Sequence, residues 1–437
     1  MSWIAAAGLL IGLTLLFMGL GFPVAFAFLA ADIVGALIFM GGAVGLEQLV
    51  ANAFSSITTF ALAPVPLFLL MGELFFHTGL AGRMFDAIDR LLGRVPARLS
   101  FLTVAGGTSF ATLSGSSMAS TALLGSLMIP EMSRRGYKKS MSIGPILGTG
   151  GLAMLIPPSA LAVLLGTLAR IDIGLLLIAG VIPGLILACM YVVLILVQAL
   201  LDPAAAPAYD IEPTPWRTRL RLILTDIVPM SLVVFLVIGL ILLGWATPSE
   251  AAAFGVVGVA IMALLYRGLT WAALWKSIEG AARVTVMAFL IILGSSTFSQ
   301  LLAYSGASSG LVAWAVGLQA DPIAMLLLMF GVLLVLGMFM DQLSMMLLSV
   351  PIFFPLAQTL GFDLIWFGVI VLMALEISFT TPPFGLLLFV MKGVAPPGTR
   401  MTEIYRAALP YIGCAMALVG LLIVEPEIAL ALTRLAR

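Results

Sequence analysis

Two short runs and two proline pairs hold the residue types able to do chemistry. The first run, Thr112-Leu113-Ser114-Gly115-Ser116-Ser117, is small and polar inside the otherwise apolar stretch 100–132, and the second is Gly337-Met338-Phe339-Met340-Asp341-Gln342. The proline pairs stand in Ile156-Pro157-Pro158-Ser159 and Thr380-Thr381-Pro382-Pro383. Hydroxyls, a carboxylate and backbone carbonyls are hard oxygen donors of the kind that hold a cation such as sodium. Proline lacks an N–H and clashes with the preceding turn, so two in succession leave carbonyls free in mid-span. Thr149-Gly150-Gly151 comes one to two turns before the first pair and lets the backbone bend. A half-helix beginning near Ser117 would point its positive end at the first run, where an organic carboxylate could be held.

Asp341 is the focus of the second run. A carboxylate in an apolar stretch costs at least ~2.5 kcal/mol on insertion scales, which calls for a cation, a proton or a cavity. Sodium ligation is the functional reading, and hydrogen bonding to a helix end is the structural one. Glu73 and Glu376 are two further carboxylates in apolar surroundings, for which packing against Ser and Thr neighbours competes with ion binding. Ser116 or Ser117 as an intramembrane nucleophile is a different class of reading. It lacks a base, since the single histidine, His77, falls at the end of an early span and no Ser-Lys pair lies at helical spacing. No Walker motif supports an ATP-driven pump.

The elements that must position these residues are membrane helices. Hydrophobic residues make up 62% of the 437 positions, charged residues 9%, and mean hydropathy is +1.22, a composition that only lipid satisfies. The runs are too long and too rich in glycine for barrel strands. Net charge is zero, so nothing calls for nucleic acid. Cys189 and Cys414 lie in apolar runs without ligand spacing. Spans are expected near 3–20, 23–42, 56–80, 140–168, 173–200, 226–245, 250–266, 284–303, 365–391 and 407–424. The first is read as a retained span rather than a signal peptide.

Basic clusters orient them: Arg83, Arg90, Arg94 and Arg98; Arg134, Arg135, Lys138 and Lys139; Arg217, Arg219 and Arg221. All three should be cytoplasmic, with the loops of Glu47, Asp172, Asp321 and Asp363 outside. The first two clusters share a side although the stretch 100–132 separates them, so that stretch must enter and return as a re-entrant hairpin. Non-helical backbone at membrane depth survives only where it is buried in protein or lines a wet cavity, which makes the tip a binding-site candidate. A Ser/Gly-rich kink in an ordinary helix pair is the plainer alternative. One offset recurs: Pro130 and Pro355, Gly136 and Gly361, Pro157 and Pro382, Pro158 and Pro383 are each 225 apart (355 − 130). It predicts an inverted repeat with a second hairpin over 322–358 and maps Ser116 onto Asp341.

Leu113-Ser114-Gly115-Ser116-Ser117-Met118-Ala119, Ile129-Pro130-Glu131-Met132, Arg135-Gly136-Tyr137 and Ile156-Pro157-Pro158-Ser159 together resemble the large permease subunit, the DctM-like family, of tripartite ATP-independent periplasmic (TRAP) transporters. Pro64-Val65-Pro66-Leu67-Phe68 with Met71-Gly72, Ala246-Thr247-Pro248-Ser249-Glu250-Ala251 and Thr381-Pro382-Pro383-Phe384-Gly385 fit the same pattern, which covers the chain essentially end to end. The family often has Thr where Ser249 stands.

The resemblance implies an all-α polytopic fold of the ion transporter superfamily. Its inverted repeat carries two re-entrant helical hairpins and works as an elevator. Scaffold helices would occupy 1–80 and 171–300, transport repeats 81–170 and 301–395, and a C-terminal helix 396–437. It implies sodium-coupled uptake of an organic acid across the bacterial inner membrane, with a periplasmic substrate-binding protein and a small four-helix membrane subunit as partners. Sodium ligands carried over are Ser114, Gly115, Ser117 and Gly151 in one half, and Gly337, Asp341, Thr380 and Thr381 in the other. The substrate carboxylate is expected among Ser116, Ser117, Pro157, Pro158, Ser159, Thr381 and Pro382. A related sodium/dicarboxylate symporter that needs no binding protein is the nearest competing reading, and a passive channel a more distant one.

Overall fold

The structure, a computed structural model, describes residues 2–92, 95–114, 117–207, 215–317, 320–338 and 340–435, and their regular structure is helical. Helices α1 (Trp3–Gly19) and α2 (Val24–Phe39) form a first antiparallel pair, followed by α3 (Ala43–Ile57). A single 3-10 turn, Phe60–Leu62, leads into α4 (Pro64–His77), which bends by 63° into α5 (Leu80–Leu91). The expected span 56–80 is thus shorter and begins after a separate helix. α5 is amphipathic: Leu80, Ala81, Met84, Phe85 and Ala87 are buried, while Arg83, Asp86 and Arg90 lie on its other faces. Arg83 pairs with Asp226 at 2.8 Å, tying α5 to the third basic cluster's helix.

The first repeat consists of α6 (Arg98–Ser114), α7 (Ser117–Arg134), α8 (Lys139–Leu155) and α9 (Ala160–Ala169). Next come α10 (Ile173–Ala179), α11 (Val181–Leu201), α12 (Trp216–Leu222), α13 (Val228–Leu242) and α14 (Pro248–Leu265). Helix α15 (Trp271–Tyr304) is longer than its expected span because its first turns, with Lys276, Glu279 and Arg283, extend beyond the apolar part. After α16 (Ala307–Gly317), the second repeat comprises α17 (Pro322–Gly337), α18 (Gln342–Thr359), α19 (Leu364–Thr380) and α20 (Leu386–Val394). The chain finishes with α21 (Met401–Val424) and α22 (Glu427–Leu435).

The two repeats superpose in sequence as the proline offset predicts. Both ends of α7 and α18 differ by 225 (342 − 117 and 359 − 134), as do both ends of α8 and α19 (364 − 139 and 380 − 155). Each repeat is a helical hairpin followed by a helix interrupted at Pro-Pro, and both Pro-Pro bonds are cis. The acids of the Lys/Arg-poor loops have a local reason to be there. Asp172, Asp321 and Asp363 are the N-caps of α10, α17 and α19, each accepting a backbone N–H of the first turn.

Burial shows which helices lipid touches and which it does not. Helix α8 is buried from Met141 to Leu155 and α19 from Ile365 to Thr380, all round, so these broken helices form the centre of the molecule. Leu196, Leu232, Phe235, Phe254 and Ile261 on α11, α13 and α14 are exposed, as lipid-facing side chains are. Trp216, Trp245, Trp271, Trp275 and Tyr304 are exposed near helix ends, where aromatic rings meet the headgroup layer. At the start of α8 Lys138 pairs with Asp202 at 2.5 Å and Lys139 with Glu403 at 2.8 Å, fastening the foot of the helix to its neighbours.

Candidate functional site

The first hairpin breaks where the polar run lies. Helix α6 ends at Ser114 and α7 starts at Ser117. Gly115, Ser116 and the side chain of Ser114, all expected in the site, lie outside the described residues. Ser117, Ser120 and Thr121 are 3%, 0% and 0% exposed, and their hydroxyls have no hydrogen-bond partner among the described residues. Buried hydroxyls normally find partners, so three in one turn without one among the described residues set this turn apart. The glycines of α8 allow this turn to come close. A Cβ on Gly150 would lie 2.4 Å from Thr121 Oγ1 and 3.3 Å from the Ser117 carbonyl oxygen.

In the second hairpin Asp341 caps α18. Its Oδ2 accepts the N–H groups of Leu343 at 3.1 Å and Ser344 at 3.3 Å, and Oδ1 accepts the Ser344 hydroxyl. The carboxylate therefore has the helix-end role weighed for it, although its remaining lone pairs are still open to a cation. Gly337 stands at the close of α17, where a Cβ would fall 2.0 Å from Ser378 Oγ of α19. Gln342 reaches across to the first repeat, its Nε2 3.8 Å from Met154 Sδ.

The two Pro-Pro breaks differ in surroundings. Pro157, Pro158 and Ser159 are all buried, and Ser159 caps α9 by accepting the Ala162 N–H at 3.2 Å. In the second break Thr381 and Pro382 are half-buried and Pro383 is exposed. Thr380 and Thr381 donate their hydroxyls to the Ile377 carbonyl at 3.0 and 2.5 Å, leaving their oxygen lone pairs unused by these bonds. The Pro383 carbonyl accepts from the Tyr405 hydroxyl at 2.7 Å.

Glu376, absent from the expected ligand set, lies at the junction of the two repeats. It is 3% exposed on α19, a Cβ on Gly151 of α8 would fall 1.7 Å from its Oε1, and its Oε2 has no partner among the described residues. Gly144 and Gly148 continue the same stripe of α8, and the ring of Tyr411 fills the space their side chains would take. Glu376, Thr380, Tyr191 and Tyr411 line a cavity of about 10 Å³, room for about one water. The signal in the sequence was a lone carboxylate four residues before Thr380. By contrast, Glu73 is 3.2 Å from His77 on the same helix and lies away from this junction, against Gly280 of α15.

Two hairpins, each meeting a helix interrupted at its own Pro-Pro pair, define a polytopic membrane carrier. No base stands within hydrogen-bonding distance of the Ser117 hydroxyl among the described residues, and His77 is engaged with Glu73. The sequence pattern of the family described as tripartite ATP-independent periplasmic transporter, DctM component, matches residues 11–428. The chain belongs to this family: it is a transporter permease and not an enzyme, a multi-pass protein of the bacterial inner membrane.

Its relatives agree. The C4-dicarboxylate TRAP transporter large permease protein DctM of Pseudomonas aeruginosa is 32% identical over 389 residues, 89% of each chain. The isethionate TRAP transporter permease protein DctMQ of Oleidesulfovibrio alaskensis is 29% identical over 435 residues, 96% of this chain and 65% of that one. Among solved structures, the YdaH transporter of Alcanivorax borkumensis shares the fold with a TM-score of 0.67 at 14% identity, over 95% of this chain and 99% of that one.

Proposed function

We propose that this large permease imports a small organic acid together with sodium, and that the two hairpin tips and the broken helices opposite them form the sites. The observation that carries the reading is the set of buried oxygens without partners at the junction of the repeats, Ser117, Ser120 and Thr121 on α7 and Glu376 on α19. Sodium is hard and small, and a cluster of hydroxyl, carbonyl and carboxylate oxygens suits it. One ion would sit between Ser114, Gly115, Ser117 and Gly151, and another between Gly337, Asp341, Thr380 and Thr381. Glu376, against Gly151, would add carboxyl oxygens between them. The substrate carboxylate would bind at the positive end of α7, among Ser116, Ser117, Pro157, Pro158, Ser159, Thr381 and Pro382.

Charge balance explains the coupling. An organic anion carried through a low-dielectric slab meets a large penalty, and Asp341 and Glu376 add to it when ionised. Co-bound sodium offsets both, so the loaded unit crosses and the half-loaded unit does not. Residues 81–170 and 301–395 would move as that unit against the scaffold of 1–80 and 171–300, an elevator, with 396–437 at its flank.

Partners follow from the family. A periplasmic binding protein would deliver the substrate and a small membrane subunit would complete the scaffold, a view that accords with a relative named DctMQ whose length this chain covers only to 65%. Names among the relatives span C4-dicarboxylate, isethionate and ectoine, each a small molecule bearing a carboxylate or sulfonate, and we read the substrate as a small organic acid whose identity the binding protein helps to select. Uptake in proteoliposomes holding both membrane subunits and the binding protein tests the reading. An inward sodium gradient should drive accumulation, and uptake indifferent to that gradient would remove the coupling assignment.

A further inference from the structure

A cleft of about 730 Å³ separates α3 and α15 from α9 and α18, away from the hairpin tips. Its first wall is a polar seam between two helices that otherwise face oil. Ser56 donates to Ser296 Oγ at 2.6 Å, Asn52 donates to Gln300 Oε1, and Gln48 donates to Tyr304 Oη at 3.4 Å, so α3 and α15 run antiparallel with amides and hydroxyls in register. Polar side chains at membrane depth that face a cavity and not lipid mark a wet path. The volume is that of a pocket for a small molecule.

The opposite wall carries one charge. Arg170, exposed at the end of α9, is the sole Lys, Arg, Asp or Glu among the described residues lining the cleft, and it makes no ion pair among the described residues. Its φ is 55°, a left-handed position that closes the helix through its N–H to Gly166 and Thr167, where glycine is the easier residue. The location is on the outer side: Arg170 is two residues from Asp172, and Leu364, also lining the cleft, follows Asp363, both in the Lys/Arg-poor loops opposite the basic clusters.

We propose that this cleft is the outer vestibule for a small organic anion and that Arg170 is its first charged contact, ahead of the site at the hairpin tips. The planar guanidinium presents a fork of N–H donors that matches the paired oxygens of a carboxylate or sulfonate. Arg170, the one charged residue lining the cleft among the described residues, favours anions over cations there, while Asp172 and Asp363 beside the cleft temper its field. The amides and hydroxyls of α3 and α15 then offer successive hydrogen bonds along the scaffold wall. This proposal rests on the organic-acid reading above.

Charge-selective labelling tests it without requiring transport. In outward-oriented vesicles holding the complete transporter, with Cys189→Ala and Cys414→Ala as background, Ser299→Cys on the cleft wall is reacted from outside with an anionic and a cationic methanethiosulfonate. The anionic reagent should be favoured. Arg170→Gln should lower that preference about threefold or more, as one charge a few ångströms away in a partly wet cleft would, and Arg170→Lys should retain it. An unchanged ratio in Arg170→Gln, or a cysteine unreachable from outside, would overturn the proposal. A carrier that fails to couple sodium yet still shows the Arg170-dependent ratio would sink the coupling reading while supporting the vestibule.

Discussion

The carboxylate of Glu376 on α19 occupies the space a side chain at Gly151 on α8 would need, with Oε1 only 1.7 Å from where a Cβ would stand. Helices from the two repeats thus interlock through a carboxyl group and an absence of side chain. Gly151→Ala should push Glu376 aside. Overpacking of this kind costs about 1–3 kcal/mol, and thermal unfolding of the purified protein should record that loss together with weakened protection by sodium. A fully stable Gly151→Ala protein with ordinary sodium protection would show that this close approach has no part in ion binding.

Asp341 combines a cap with a charge, and substitution can separate the two. Asn keeps an N-cap oxygen for the Leu343 and Ser344 N–H groups, whereas Ala removes it at a cost of about 1 kcal/mol. Asp341→Asn is therefore expected to leave stability without sodium nearly unchanged and to abolish most of the stabilisation sodium gives. If Asp341→Asn kept the full stabilisation by sodium and only Asp341→Ala lost stability, capping alone would account for the residue.

The hydroxyl of Ser117 is buried without a partner among the described residues, so its removal should cost the ion-free protein little and could stabilise it by up to ~1 kcal/mol. The price would be paid in binding. Ser117→Ala should weaken sodium affinity by about tenfold, equivalent to ~1.4 kcal/mol, readable as a shift in the sodium concentration needed to raise the melting temperature. Loss of stability with intact sodium binding would count against a ligand role.

Tyr411 separates shape from polarity. Its ring fills the stripe of Gly144 and Gly148, while its hydroxyl has no partner among the described residues. Tyr411→Phe should unfold at nearly the same temperature as the parent, and Tyr411→Ala should lose about 3–5 kcal/mol through the cavity it leaves. Equal losses in the two variants would mean that the hydroxyl, not the ring, holds α21 to α8.

Much of this architecture was legible in the sequence because the membrane makes exceptions conspicuous. Two basic clusters on one side of an apolar stretch required a hairpin, and the 225-residue offset read from prolines reappears at both ends of α7 and α18 and of α8 and α19. Other features were hidden for identifiable reasons. Helix α3 carries Glu47, Gln48, Asn52, Ser55 and Ser56, so no apolar run announced it; its polar face meets the seam of α15, a partner some 240 residues away in sequence (296 − 56). Glu376 was visible as an anomaly, yet its neighbour Gly151 is set by packing between repeats, which a single sequence does not display. Tyr411 against Gly144 and Gly148 is concealed in the same way.

Sodium flux measured alongside substrate uptake, in the same proteoliposomes, tests the central claim most directly. Labelled sodium should enter only when the organic acid and its binding protein are both present, and Asp341→Asn should suppress the two fluxes together. Organic acid accumulating with no accompanying sodium would contradict the account.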